Sequence, residues 1–275
     1  MHGRLITTLA ASVLCASAGR AQQPVALRID PPVGETMRMR LDQRVEMSGT
    51  TRVGAGDSTA TVVSTLLVIS RTYVERRDGE ATVLVASTDS VLASSSGADS
   101  QSVATETRHA LLGKRVRLRI APDGATEVVG GDVGGSTELN ALFAQMPATL
   151  PDKPVAVGQT WSRVMVAPIG AGDAAKQGGK LRATFRLDSL SRNTDLAYVS
   201  VVGSLNRPPS SKDGWAMLEM SGSMTGGFVI DRRRGWISDA RMTYMVRSTV
   251  APNAGSTDDA MRFRMKVTQW VRAIP

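Results

Sequence analysis

Cysteine is almost missing from this chain, and so is histidine: there are one and two, respectively, in 275 residues. Cys15 and His2 both lie in the first twenty residues, which have the layout of a cleaved leader. From Gln22 onward no thiol and only His109 remain, so a disulfide framework is excluded, and zinc, copper or haem sites of the ordinary kind lack ligands. Aromatic residues make up 4% of the chain. That is too few for the two interfacial girdles of a membrane barrel, and too few for the stacking platforms that nucleic acid binding pairs with basic groups. The chain also ends in Val271-Arg272-Ala273-Ile274-Pro275, where an outer-membrane strand would carry an aromatic residue. After the N-terminus no stretch approaches the roughly 20 apolar residues of a helical span.

Arg4 in a short basic head, the apolar run Leu5 to Leu14 and the small-residue exit Gly19-Arg20-Ala21 read as a secretory signal over residues 1–21. Cleavage after Ala18 competes with cleavage after Ala21. Leu14 stands before Cys15 where a lipobox has a small residue, so lipid anchoring is not expected. The mature protein is expected to be exported, in the periplasm or outside the cell. Loss of Arg4 and Arg20 takes the formal charge from +8 to +6. That surplus keeps a protein soluble and makes an anionic envelope surface a plausible neighbour.

What is present is period-2 alternation, in two matched halves. Pro32-Val33-Gly34-Glu35-Thr36-Met37 opens the first, and Ala156-Val157-Gly158-Gln159-Thr160-Trp161 the second. Arg77-Asp78-Gly79 leads into Ala81 to Val85, as Asn193-Thr194-Asp195 leads into Ala197 to Val201. Val116 to Ile120 before Asp123-Gly124 corresponds to Phe228 to Asp231 before Arg234-Gly235. Met37, Met39, Leu41, Val45 and Met47 share one face of a strand and Arg38, Arg40, Asp42 and Arg44 the other. Met261, Phe263, Met265, Val267 and Val271 repeat the scheme against Arg262, Arg264, Lys266 and Arg272. Short Gly, Asp and Ser turns, Ser94 to Ser102 among them, separate about eleven strands.

The reading is therefore a mainly β, internally duplicated chain whose long antiparallel strands form a curved sheet, half-barrel or barrel. One short helix is expected between the halves, capped by Ser136, with Leu139, Leu142, Phe143 and Met146 on one face and Pro147 as its stop. The divisions are a signal over 1–21, an N-terminal segment over 22–30, a first β half over 31–135, the helix and Pro-rich crossover over 136–154, and a second β half over 155–275. A lone amphipathic helix beside a curved sheet would cap its concave side.

Catalytic patterns fail one by one. His109, in Thr107-Arg108-His109-Ala110, reads as a structural residue on a strand. Gly56-Asp57-Ser58 resembles an esterase nucleophile block, but no histidine follows Asp258-Asp259, and no Gly-x-Ser-x-Gly elbow occurs. Gly130-Gly131-Asp132-Val133-Gly134-Gly135 lacks the spacing of a nucleotide loop. No cofactor is implied. Clustered Asp and Glu in a cleft would be needed to revive a hydrolase reading.

Val33-Gly34-Glu35-Thr36, Gly113-Lys114 before a strand, Pro122-Asp123-Gly124 and the run from Leu150 to Trp161 resemble a family of exported bacterial proteins, many of them lipoproteins, known only as a domain of unknown function. The plan is also similar to LolA-type half-barrel lipoprotein carriers, in which a curved sheet with helical cover shelters acyl chains. Those resemblances imply no catalytic residue. The expected function is non-enzymatic: an envelope protein holding a lipid or other apolar molecule, with Leu139, Leu142, Phe143, Met146, Met37, Met39, Met261, Phe263 and Met265 as lining. Met217, Met220, Met224 and Met242 fall in the same strand patterns, and a flexible methionine lining suits variable apolar ligands. The alternative is a periplasmic or surface interaction protein with a packed core and no ligand.

Overall fold

The computed structural model describes residues 23–53, 56–96, 100–131, 149–166, 180–207, 217–251 and 260–275. They form eleven strands and one helix: β1 Thr36–Val53, β2 Gly56–Asp78, β3 Ala81–Ser95, α1 Ser100–Leu111, β4 Arg115–Ile120, β5 Thr126–Gly131, β6 Thr160–Val166, β7 Lys180–Leu190, β8 Leu196–Arg207, β9 Met217–Asp231, β10 Trp236–Ala251 and β11 Met261–Ile274. All eleven join one antiparallel sheet in the order β5-β4-β3-β2-β1-β11-β10-β9-β8-β7-β6. Two meanders thus meet where β1 pairs with β11, and the sheet does not close between β5 and β6.

The duplicated sequence becomes duplicated geometry. Gly34 and Gly158 both adopt φ 87°, a left-handed conformation that glycine takes without the Cβ penalty. Gly34 donates to Val74 O and Val74 to Glu35 O. Gly158 donates to Leu187 O and Leu187 to Gln159 O. Thr36 then pairs with Tyr73, and Thr160 with Arg186. Beyond Val74 and beyond Leu187 the register shifts by one at a bulge. The pairing Val74 with Leu84 and Leu187 with Val199 sets Thr82 equivalent to Ala197. The match of Ala81 to Ala197 drawn from the sequence is therefore off by one residue, because alternation fixes parity and the bulge fixes register.

A single buried core holds Val116, Leu118 and Ile120 of β4 together with Leu181, Phe185 and Leu187 of β7. Eight strand steps separate β4 from β7 in the sheet order, about 38 Å if the sheet were flat at about 4.8 Å per step. Only a sheet curled on itself places both in one core. β9 shows where it bends. A Cβ on Gly227 would lie 2.7 Å from Val199 O, and one on Gly226 would clash with Arg241 O. The bare backbone there lets both neighbouring strands approach closely.

One end of the curl is crossed by two extended segments. Val25 and Val155 form an isolated antiparallel bridge. Ile29 donates to Pro122 O and Asp30 to Gly235 O. Thr149 and Leu150 donate to Asp123 O, and the Trp161 indole to Thr149 O at 2.8 Å. Leu27, Ile29, Leu150 and Val155 enter the core as a plug. Full burial of such a side chain contributes roughly 1.5–3 kcal/mol. The Arg163 guanidinium of β6 ties the plug to the sheet edge through Leu150 O and Asp152. That contact holds the Asp152 carboxyl below its ordinary value, chiefly by hydrogen bonding.

Residues 136–146 lie outside the described residues, whereas Ser100–Leu111, read from the sequence as turn and then strand, is helical. His109 therefore sits in the last turn of α1, not on a strand. The turn expected over Ser94 to Ser102 is also corrected, since β3 runs to Ser95. None of the α1 residues is buried, so no apolar period of 3.6 marks it.

Candidate functional site: the concave face

Directly opposed residues of an antiparallel pair share a face, so the registers assign the concave side strand by strand. Met39, Leu41, Val45 and Met47 of β1 lie opposite Ala273, Val271, Val267 and Met265 of β11. Val267, Met265, Phe263 and Met261 lie opposite Tyr244, Val246, Ser248 and Val250 of β10. On the other flank, Leu41 and Met47 face Val68 and Val62 of β2. The same face continues into Met224 and Phe228 of β9 and then Phe185 and Leu187 of β7.

Two parts of this face are filled differently. Over β7 to β9 it is dry and packed. Phe185 is 2% exposed, stacked on Trp161 at 5.6 Å and met edge-on by Phe228 at 6.2 Å. Over β1, β2 and β11 the same face is only partly covered. Met47 is 44% exposed and Met261 43%, and no residue of β11 is fully buried. Met39, Phe263 and Met265 are partly buried, and the Phe263 ring lies against Gly49, whose absent Cβ would be 3.3 Å away. The result is an apolar trough running along the centre of the sheet beside the packed core. Burial pushes the Tyr244 phenol, on the trough's β10 side, above its ordinary value, as apolar surroundings do.

Of the lining residues expected from sequence, Met261, Phe263 and Met265 are neighbours on this face, whereas Met39 lies on it but further along β1, opposite Ala273. Met37 is also on it but sits at the plugged end, 5% exposed. Leu139, Leu142, Phe143 and Met146 lie outside the described residues. Sequence reasoning missed Val62, Leu66 and Val68 of β2, where Thr61 to Ser70 is so uniformly apolar or small that its parity is unreadable. It also left out Met47 and Val250, which the alternation could have supplied, while Val246 on the same face belongs to the buried core.

The outward side is of opposite character. β11 presents Arg262, Arg264, Lys266, Thr268, Trp270 and Arg272 in succession, and β1 presents Arg38, Arg40, Asp42, Arg44 and Glu46. Arg241 and Arg272 stack on Trp270 at 4.2 and 4.0 Å, and its indole donates to Asp239. A lipid-facing strand carries an apolar outward row instead. No helix among the described residues is long and apolar enough to cross a membrane.

A groove of about 590 Å³ lies at the plugged end, lined by Glu35, Asp195, Asp231, Arg233 and Arg234 with neighbouring turn residues. These carboxylates have structural partners. Asp231 accepts the Arg233 and Arg234 amides, Asp195 lies 3.8 Å from Arg233, and Glu35 lies 3.7 Å from Arg234. The groove contains no residue of the trough. Among the described residues, no three His, Cys, Asp or Glu side chains converge as metal ligands.

The profile of a family of unknown function (DUF6263) matches residues 134–237. Comparison with curated proteins gives no significant match. Among solved structures, the COG4313 outer membrane channel from Pseudomonas putida F1 is similar over 92% of this chain and 99% of that one, at 10% identity and a TM-score of 0.24. A likeness at that score carries no argument about fold or activity. No catalytic family is indicated by these matches.

Proposed function

We propose that the protein is an exported, non-enzymatic envelope protein that holds a lipid acyl chain or another apolar molecule in the trough formed by β1, β2, β10 and β11. The observation that carries this reading is the contrast within one face: a packed half that supplies the core, and a partly exposed apolar half, most open at Met47 and Met261, inside the same curled sheet. Apolar surface that stays open beside a completed core is what a ligand would cover. Methionines 39, 47, 261 and 265 line it with side chains that adapt to varied apolar shapes. The leader pattern over 1–21 supports export to the periplasm or beyond without lipid anchoring. The plug's first backbone bridge is at Val25, so cleavage after either Ala18 or Ala21 leaves its contacts intact.

The test is a fluorescence titration of the mature chain with an environment-sensitive fatty acid. Saturable binding that is lost in Met47→Glu and Met265→Glu, but kept in the outward-facing Met245→Glu, supports the trough. Binding indifferent to all three removes it, leaving a packed interaction protein as the better account.

A further inference from the structure

Charge on the outer wall is segregated along the axis of the curl. Toward the plugged end many cations are paired, Arg40 with Asp42, Arg117 with Glu75, Arg119 with Asp78 and Arg163 with Asp152, although Lys153 and Arg192 there form no ion pair among the described residues. Toward the far end two adjacent rows cross the sheet from β1 to β7. One runs Ser48, Arg264, Arg247, Ser221, Asn206, Lys180, and the next Glu46, Lys266, Met245, Ser223, Ser204, Arg182. They contain five exposed cations: Lys266 faces Glu46 across the strands and, after the Arg44 hydrogen bond, helps hold its carboxyl low, while Arg247, Arg264, Lys180 and Arg182 have no ion pair among the described residues. Glu46 is the one acid in the two rows and is taken by Arg44 at 2.8 Å, while Glu219 lies one row further out, beside Thr249.

Arg247 and Arg264 are direct cross-strand partners. Like charges so placed destabilise a sheet, and an anion lying over them removes the cost. Apolar side chains are set among the cations, with Met245 50% and Val164 60% exposed. Spread cations with interleaved apolar groups match an extended anionic interface containing hydrocarbon, rather than a compact ligand.

We propose that this far-end belt docks the protein on an anionic phospholipid surface, with the far end of the trough, at Met47 and Met261, brought against the bilayer. The docking stands on the charge pattern. Its purpose, presenting the trough to acyl chains, rests on the proposed function.

The experiment is co-sedimentation of the mature chain with phosphatidylcholine vesicles containing about one-third phosphatidylglycerol, and with pure phosphatidylcholine vesicles. Each basic residue near such a surface contributes about fivefold in partitioning. The triple variant Arg247→Gln, Arg264→Gln, Lys180→Gln is expected to lose about 100-fold. A triple variant of equal charge at the plugged end, Arg76→Gln, Lys153→Gln, Arg192→Gln, is expected to lose a few-fold at most, and Glu46→Gln to gain about fivefold. Equal losses in both triples would mean diffuse net charge and overturn the proposal. So would wild-type protein that ignores the anionic vesicles, or that binds a soluble polyanion such as heparin but not vesicles. Fatty-acid binding measured on the same samples separates the readings, since an intact trough with no vesicle binding overturns only the docking.

Discussion

Replacing Phe185 and Phe263 separately by alanine asks whether the two parts of the concave face differ in the way proposed. Phe185 is 2% exposed, stacks on Trp161 and meets Phe228 edge-on. Truncation there removes a fully buried ring and leaves a cavity, at about 3–5 kcal/mol. Its two aromatic contacts, at roughly 0.5–1.5 kcal/mol each beyond area, favour the upper part of that range. Phe263 lies on the same face of the sheet but outside the buried core, partly exposed, with its ring against Gly49. The ring is partly shielded but closes no packed cavity, so its loss is expected to cost about 2 kcal/mol at roughly 25 cal/mol per Å² of the area removed from water, without the added cavity cost. Urea unfolding of the ligand-free protein measures both. A Phe263→Ala cost as large as that of Phe185→Ala would refute the reasoning, because the trough would then be ordinary packed core.

Gly34→Ala and Gly158→Ala each place a side chain at φ 87° with open space around it. Both should destabilise by about 1 kcal/mol through backbone strain alone, and by closely similar amounts in chemical denaturation. Gly226→Ala forces a Cβ onto Arg241 O, and a thermal-shift assay should show a loss above about 3 kcal/mol or failure to fold. The depressed Asp152 carboxyl gives a pH dependence of definite sign: its contribution is present above the unfolded value and lost as pH falls through the lower folded one. Hydrogen-exchange protection of the Thr149 and Leu150 amides should therefore fall below about pH 4. In Asp152→Asn it should already be low at neutral pH and fall no further.

Strand alternation made the sheet legible because one face of each long strand meets water and the other does not. In β1 and β11 the alternating Met and Arg positions could be assigned to faces without coordinates. The duplication was legible for a related reason, since Val-Gly-x-Thr must build the same left-handed turn each time it starts a meander. Helix α1 was not legible, because a helix with no buried residue leaves no apolar stripe to read. The plug was overlooked although Val25, Leu27 and Ile29 alternate as a strand does. A segment that makes one isolated bridge and otherwise docks through scattered backbone bonds carries no turn or length signal. The trough itself was half legible. Which residues face inward follows from parity, but whether that face is packed or open depends on how far the sheet curls. The curl is set by bulges and by the β9 glycines, whose effects alternation does not encode.

Native mass spectrometry of the mature protein, purified without detergent from the envelope of a Gram-negative host, tests the central claim most directly. A co-purifying mass of lipid size is predicted, extractable into organic solvent and absent from Met47→Glu/Met265→Glu protein that unfolds at the wild-type urea concentration. A clean polypeptide mass that stays unchanged after incubation with mixed envelope lipids would contradict the account.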